Sequence, residues 1–131
     1  MHHIADRLML GTAQFGSKYG ITNNSKTPDE NNLKKIISLA KENQINSIDT
    51  AMNYNSEIKL GNVGIGDFKV FTKLPKAPEH ISVSKWVNEN VYKSLENLKI
   101  PKLEGLLIHN HNELKSNKGK EIWNSLLDLK K

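Results

Sequence analysis

Short apolar runs alternate along this chain with longer segments whose apolar residues recur at helical spacing. The runs have strand character, because they are bounded by Gly, Pro or polar residues. They lie at 8–10, 45–50, 68–73 and 103–108. Strands that alternate with helices through short connections are typical of βαβ units with parallel strands. The pattern therefore predicts an α/β protein with a parallel sheet. The near-continuous apolar run at 103–108 predicts a strand that is buried on both faces.

Helix boundaries are suggested by capping signals. Thr27 is suited to cap a helix, Pro28 to its first helical position, and Glu30 to the third position of a capping box. Gly61 is predicted to end a brief helix, and Ser84 to cap a long one.

Length and composition limit the classes of protein to which this chain can belong. The chain of 131 residues is long enough for a single domain, predicted over 1–131, with a core of its own. It has no cysteine, which excludes disulfides, thiolate metal sites and cysteine nucleophiles. Its net charge is +5, but no basic run is interleaved with aromatic residues, so a nucleic-acid partner is not expected.

Apolar segments of the targeting or membrane-spanning kind are not found in the sequence. The first residues contain no apolar stretch like that of a signal peptide, and no apolar run approaches the length of a membrane span. We therefore expect a cytoplasmic protein without a membrane partner.

Four polar residues, Asp49, Tyr54, Lys73 and His109, lie at the ends of predicted strands or in the loop just beyond. The carboxyl ends of parallel strands meet at one edge of a sheet, so these side chains are expected to converge. There Asp49 and Lys73 would pair, since an unpaired buried charge is costly. The lysine would favour proton donation by the Tyr54 phenol, and the His109 imidazole would orient a carbonyl oxygen. Each residue alone has an ordinary structural explanation; the ordered set predicts a site.

The motifs around these residues resemble those of the aldo-keto reductase family. The resemblance covers nearly the whole chain from about Leu8. It is found in Leu10-Gly11-Thr12-Ala13-Gln14-Phe15-Gly16, Ile48-Asp49-Thr50-Ala51 with Tyr54, Ser56-Glu57-Ile58-Lys59-Leu60-Gly61, Thr72-Lys73, Ser94-Leu95 with Leu98, and Leu106-Leu107-Ile108-His109. Where the family usually has Gly, this chain has Gln44 and Asn55, so both positions are candidates for a left-handed backbone.

The resemblance implies the N-terminal half, the first four strand–helix units, of a (β/α)8 TIM barrel. It implies an oxidoreductase that uses NADPH or NADH to reduce a small carbonyl compound. Tyr54 would be the acid, Asp49 and Lys73 would tune it, and His109 would orient the carbonyl. Gly11, Thr12 and Asp49 would contact the nicotinamide end of the cofactor. The family's remaining cofactor contacts belong mostly to strands five to eight.

Two alternatives accompany this interpretation. The helical pattern still runs at Lys131, so the chain is expected to be truncated. It would then be an inactive half-barrel remnant that self-associates through its open edges as a homo-oligomer. The other alternative is a metal-dependent hydrolase that uses His109 and His111, although no further His-rich motif supports a metal site.

Overall fold

The sheet is parallel and its strands follow chain order. A computed structural model describes residues 4–18, 20 and 26–130. Its four strands pair in the order β1-β2-β3-β4, and every pair is parallel. The strands are β1 (Leu10–Gly11), β2 (Ser47–Asp49), β3 (Lys69–Leu74) and β4 (Gly105–Ile108). The predicted α/β class with a parallel sheet is confirmed.

Helices connect the strands, as βαβ units require. The connecting helices are α1 (Ala13–Gly16), α2 (Glu30–Glu42), α3 (Glu57–Val63) and α4 (Val83–Leu98), and α5 (Asn112–Lys115) and α6 (Gly119–Leu129) follow β4. Two short 3-10 helices, Ile4–Arg7 and Met52–Tyr54, complete the described elements. The sequence at 17–26 is rich in Gly, Asn and Ser and so is predicted to be a loop, and its residues 19 and 21–25 lie outside the described residues.

Helix α2 begins two residues later than the capping pattern predicts. Its N-cap is Asp29, whose carboxylate accepts a hydrogen bond from the Asn32 backbone N–H at 2.8 Å. The prediction that Thr27 caps the helix with Pro28 at its first position is therefore wrong. The physical reason is that Asp29 already satisfies a free N–H group of the first turn.

Two further boundaries differ from their predictions. Helix α3 continues past Gly61 to Val63 and ends at Gly64, which has the left-handed φ of 84°. Helix α4 begins at Val83, one residue before the predicted cap Ser84. Gly61 serves close helix packing instead of termination, because an added Cβ would collide with the Asn97 carbonyl of α4.

The helices cover one face of the sheet. Ile48 and Val70, which are register partners on β2 and β3, are 0% and 1% exposed beneath them. Two apolar clusters form this side of the molecule. One contains Leu33, Ile37, Leu60 and Leu98, and the other contains Leu74, Val83, Val87 and Ile122.

The opposite face of the sheet is open, so the prediction that β4 is buried on both faces is wrong. Leu107 is 46% exposed. It pairs in register with Lys73, and neighbouring register partners point to the same side of a sheet. The apolar run of β4 therefore has helices over one face only, among the residues described.

No helix in the described ranges is both long and apolar enough to cross a membrane.

Candidate active site

The four predicted site residues meet at the carboxyl edge of the sheet. Asp49 is the last residue of β2, Lys73 lies one residue before the end of β3, and His109 directly follows β4. The His109 backbone N–H is held by the Leu74 carbonyl at 3.0 Å. Tyr54 ends the 3-10 helix Met52–Tyr54 in the loop beyond β2. The parallel register brings all of them to the same edge.

Asp49 and Lys73 form the expected ion pair. The Lys73 ammonium donates to the two Asp49 carboxylate oxygens at 2.7 and 2.8 Å, and to the Thr50 carbonyl at 2.9 Å. The Lys73 side chain is 18% exposed and that of Asp49 is 38% exposed. Three acceptors fix the direction of the ammonium, so the charge has a defined position beside the site.

The Tyr54 ring lies close to both the cation and the imidazole. The Lys73 ammonium is 5.3 Å from the ring centroid, within the range of a cation–π interaction. The His109 ring meets the Tyr54 ring edge to face, with centroids 5.7 Å apart and planes at 86°. The structure therefore brings together all four residues that the sequence singled out.

The turn that carries Tyr54 is shaped by its neighbours. Asn55, which directly follows Tyr54, has the expected left-handed backbone, with a φ of 58°. The other candidate, Gln44, has a φ of 60° and lies just after helix α2, away from this turn in the sequence. Helix α1 presses against the same turn at Gly16, where an added Cβ would collide with the Tyr54 carbonyl. Gly16 thus helps to position the turn that carries Tyr54. The sequence showed Gly16 only as part of a family motif, and nothing in that motif predicted this contact.

Three buried hydroxyl groups brace the loop between Asp49 and Ser56. Thr12, Thr50 and Ser56 are each 0% exposed. The Thr12 hydroxyl donates to the Asp49 carbonyl at 3.1 Å, and the hydroxyls of Thr50 and Ser56 are 3.0 Å apart. The Thr12 hydroxyl is already hydrogen-bonded within this network. Thr12 would therefore support cofactor binding indirectly, by holding the turn after β1.

Gly11 has a different environment. It is exposed, and a Cβ added to it would meet no atom within 4 Å. It is also the register partner of Asp49. The backbone at Gly11, beside the ion pair, therefore leaves room for the close approach of a ligand.

A buried carboxylate, Glu57, connects the site to the helices and was not predicted. It is 4% exposed and lies in the first turn of α3. Its Oε1 atom accepts hydrogen bonds from the Thr72 hydroxyl at 2.9 Å and the Ser94 hydroxyl at 2.6 Å. Thr72 directly precedes Lys73, so Glu57 ties the strand that carries the ammonium to α3 and α4.

Replacing Glu57 by leucine is expected to destabilise the fold by about 2 kcal/mol, because two buried hydroxyls lose their acceptor. Urea unfolding measures the change. Glu57→Gln is the matched control, since its amide oxygen retains an acceptor at the same place, and it should cost less than half as much. Equal losses for the two variants would contradict this role.

The metal-dependent hydrolase alternative would need a cluster of metal-ligating side chains. Within the described part of the chain, no group of three or more His, Cys, Asp or Glu side chains is arranged to hold a metal ion.

Comparison with known families decides the assignment. A model of the aldo/keto reductase family matches residues 7–131. The chain belongs to the aldo/keto reductase family. The likeness extends to solved structures: a Pseudomonas aeruginosa protein assigned to the aldo-keto reductases has 28% identity and a TM-score of 0.75, covering 92% of this chain and 49% of that one. A comparison with curated protein sequences found no match.

Two more distant aldo-keto reductases share the fold. The holo form of one from Bacillus halodurans has 21% identity and a TM-score of 0.70, over 94% of this chain and 41% of that one. One from Bombyx mori, in complex with NADP, has 21% identity and a TM-score of 0.63, over 92% and 41%. This chain thus spans about half the length of its structural relatives, and the predicted N-terminal half of a (β/α)8 barrel is confirmed.

Proposed function

We propose that this aldo/keto reductase chain carries the proton-donating side of a site that reduces a carbonyl group to an alcohol with NADPH or NADH. The substrate would be a small aldehyde, ketone or sugar. The protein would be cytoplasmic and would have no nucleic-acid or membrane partner. One observation supports the proposal: the Tyr54 ring lies close to both the Lys73 ammonium and the His109 imidazole, and Asp49 pairs with that ammonium.

The chemistry proposed for these residues is a proton transfer. Tyr54 would donate its phenolic proton to the carbonyl oxygen, and Lys73 would stabilise the phenolate left behind. Asp49 would keep the ammonium in place, and His109 would donate a hydrogen bond that orients and polarises the carbonyl. A bound nicotinamide cofactor would supply the hydride that adds to the carbonyl carbon.

The residues proposed to receive the cofactor are Gly11, Thr12 and Asp49. Gly11 offers open backbone, Asp49 a carboxylate at the neighbouring strand end, and Thr12 the hydroxyl that holds the turn. This proposal concerns the nicotinamide end of the cofactor, because the chain spans about half the length of its relatives.

The proposal is tested by fluorescence titration of this chain with NADPH and, separately, with NADH. Saturable binding with a micromolar dissociation constant is expected, in the range in which enzymes commonly bind their substrates. A signal that rises linearly with NADPH, without saturation, would contradict autonomous reductase function.

The variant Gly11→Val tests the position proposed for the cofactor. The side chain would enter space that is empty in the protein, so the fold is retained while approach of the nicotinamide ring is blocked. We expect the dissociation constant for NADPH to rise about tenfold or more, which corresponds to about 1.4 kcal/mol. Unchanged affinity would place the cofactor away from β1.

The second candidate is a non-enzymatic half-barrel that keeps the four side chains without holding cofactor. It is favoured by the extent of the match, which covers 41–49% of the three relatives described above. The same titration separates the candidates, because saturable binding contradicts the second and its absence contradicts the first.

A further inference from the structure

A buried side chain joins the loops that follow β3 and β4. Glu113 lies in the first turn of α5, four residues after His109, and is 8% exposed. Its Oε2 atom accepts a hydrogen bond from the Ala77 backbone N–H at 3.1 Å. Ala77 lies four residues after Lys73 and is 5% exposed. Glu113 therefore connects the two loops that lead away from Lys73 and His109.

A second side chain holds the same loop after β3. Lys118 is the residue directly before α6, and its ammonium donates a hydrogen bond to the Pro78 carbonyl. Pro78 directly follows Ala77, so this loop is held at two successive residues by the segment beyond β4. The two loops are thus fastened to each other by a buried contact and by a second contact beside it.

The segment that carries Glu113 is itself held in place. The Ser116 hydroxyl donates to the Glu113 carbonyl at 2.6 Å. An added Cβ at Gly119 would collide with the Leu114 carbonyl, so α5 and the start of α6 lie in close contact. Helix α6 is anchored in the core by Ile122, which is 1% exposed. The side chain of Glu113 therefore extends from a fixed base.

Strand β3 is fixed in the site by side-chain contacts, and His109 depends on it. The Lys73 ammonium has three acceptors, and Thr72 is tied to Glu57. His109 is exposed, and its backbone N–H is held by the Leu74 carbonyl of β3. The position of the imidazole beyond the sheet therefore depends on how the loop after it is fastened.

We propose that Glu113 is a positioning residue: by fastening the loop after β4 to the loop after β3, it sets the position of the His109 imidazole against the Tyr54 ring. The segment that starts at His109 is then fixed at both ends, by the Leu74 carbonyl and by Glu113. In (β/α)8 barrels the loops after the strands build the active site, and a misplacement of about 1 Å there can cost about 10²-fold in rate. The effect of Glu113 on rate rests on the proposed function, whereas its effect on the His109 ring does not.

Kinetics test the effect on rate, with NADPH and a small aromatic aldehyde. Glu113→Leu removes the acceptor for the Ala77 N–H, and we expect it to lower kcat/KM for the aldehyde by about 10²-fold. The NADPH dissociation constant should not change, because the residues proposed to receive the cofactor lie at β1 and β2. Glu113→Gln is the matched control; it keeps an oxygen at the same place and should retain most of the activity.

A loss of stability alone is controlled by Ile37→Val. Ile37 is a 4% exposed residue of α2 in the other apolar cluster, so the change weakens the core without touching either loop. Its kcat/KM for the aldehyde should equal that of the parent chain. A fall as large as in Glu113→Leu would mean that destabilisation alone explains the lost rate, and would overturn the positioning role.

NMR spectra of the histidine ring protons test the position of His109 without any reaction. The Tyr54 ring, with its centroid 5.7 Å from that of His109, should displace these signals from those of free histidine. The signals are assigned by their loss in His109→Gln. They should move toward free histidine in Glu113→Leu and stay in place in Glu113→Gln. If Glu113→Leu does not fold, Glu113→Asp, whose shorter side chain withdraws the acceptor from Ala77, should move them in the same direction.

The two measurements separate this proposal from the proposed function. Unchanged His109 signals in a folded Glu113→Leu or Glu113→Asp variant would overturn the positioning role, whether or not the parent chain is active. Displaced signals with an inactive parent chain would support the positioning role and contradict the proposed reduction. Displaced signals with an unchanged kcat/KM in an active parent chain would overturn the part of the proposal that concerns rate.

Discussion

Replacing Gly61 by alanine is expected to destabilise the protein by about 3 kcal/mol or more, a large share of the stability of a small domain. The added Cβ would overlap the Asn97 carbonyl oxygen and approach the Leu98 carbonyl carbon. Both atoms belong to backbone, so no rotamer change relieves the collision. Helix α4 would have to move away from α3, which would loosen the packing around Leu60 and Leu98.

The measurement is urea unfolding followed by circular dichroism, with Gly66→Ala as the matched control. Gly66 is exposed, and a Cβ there would meet nothing within 4 Å. That variant should unfold within about 0.5 kcal/mol of the parent chain. If Gly61→Ala behaved in the same way, the close approach of α3 to α4 would be wrong.

The order of elements was predictable because it depends on apolar periodicity, whereas their ends depend on individual hydrogen bonds. Thr27, Pro28 and Glu30 satisfied the sequence pattern of a capping box, yet Asp29 caps α2. Several residues near a helix start are chemically able to cap it, and the local backbone geometry decides among them. Leu107 illustrates a second limit of sequence-based prediction. An apolar strand sequence shows that both faces of the strand can be buried, but it does not show whether another element packs against each face.

The positions of the site residues were predictable for a topological reason. In a parallel sheet, residues distant in sequence meet when each follows its strand, as Asp49 and Lys73 do. The supporting contacts were not predictable in this way. Glu57 meets Ser94 across 37 residues, and no periodicity links a helix start with the middle of a later helix. Gly16 likewise acts through its lack of a Cβ against the Tyr54 turn, a contact that only the packed structure reveals.

These contacts explain how the proposed site would be preorganised. The ammonium of Lys73 is fixed by three acceptors, and its strand is tied through Thr72 to the buried Glu57. The loop with Tyr54 is braced through Thr50 and Ser56. A catalytic group held by such contacts needs little reorganisation when charge develops, which is how electrostatic stabilisation becomes effective.

In the reductase that we propose, Tyr54→Phe is expected to lower the rate of carbonyl reduction by about 10²–10⁴-fold. The change deletes the phenolic proton and preserves the ring that meets His109 and Lys73. Oxidation of NADPH with a small aromatic aldehyde measures the rate. The NADPH dissociation constant, measured in parallel, should change little, since the hydroxyl is assigned to proton transfer and not to cofactor binding.

Tyr92→Phe is the matched control, because it deletes the same hydroxyl from an exposed tyrosine of α4, remote from the carboxyl edge of the sheet. Its activity and unfolding midpoint should equal those of the parent chain. Loss of activity in Tyr54→Phe, with NADPH binding and stability intact, would assign the lost step to the proton. Retained activity would mean that another group protonates the oxygen. Parallel loss of activity, NADPH affinity and stability would instead give Tyr54 a structural role and remove the basis of the proposed mechanism.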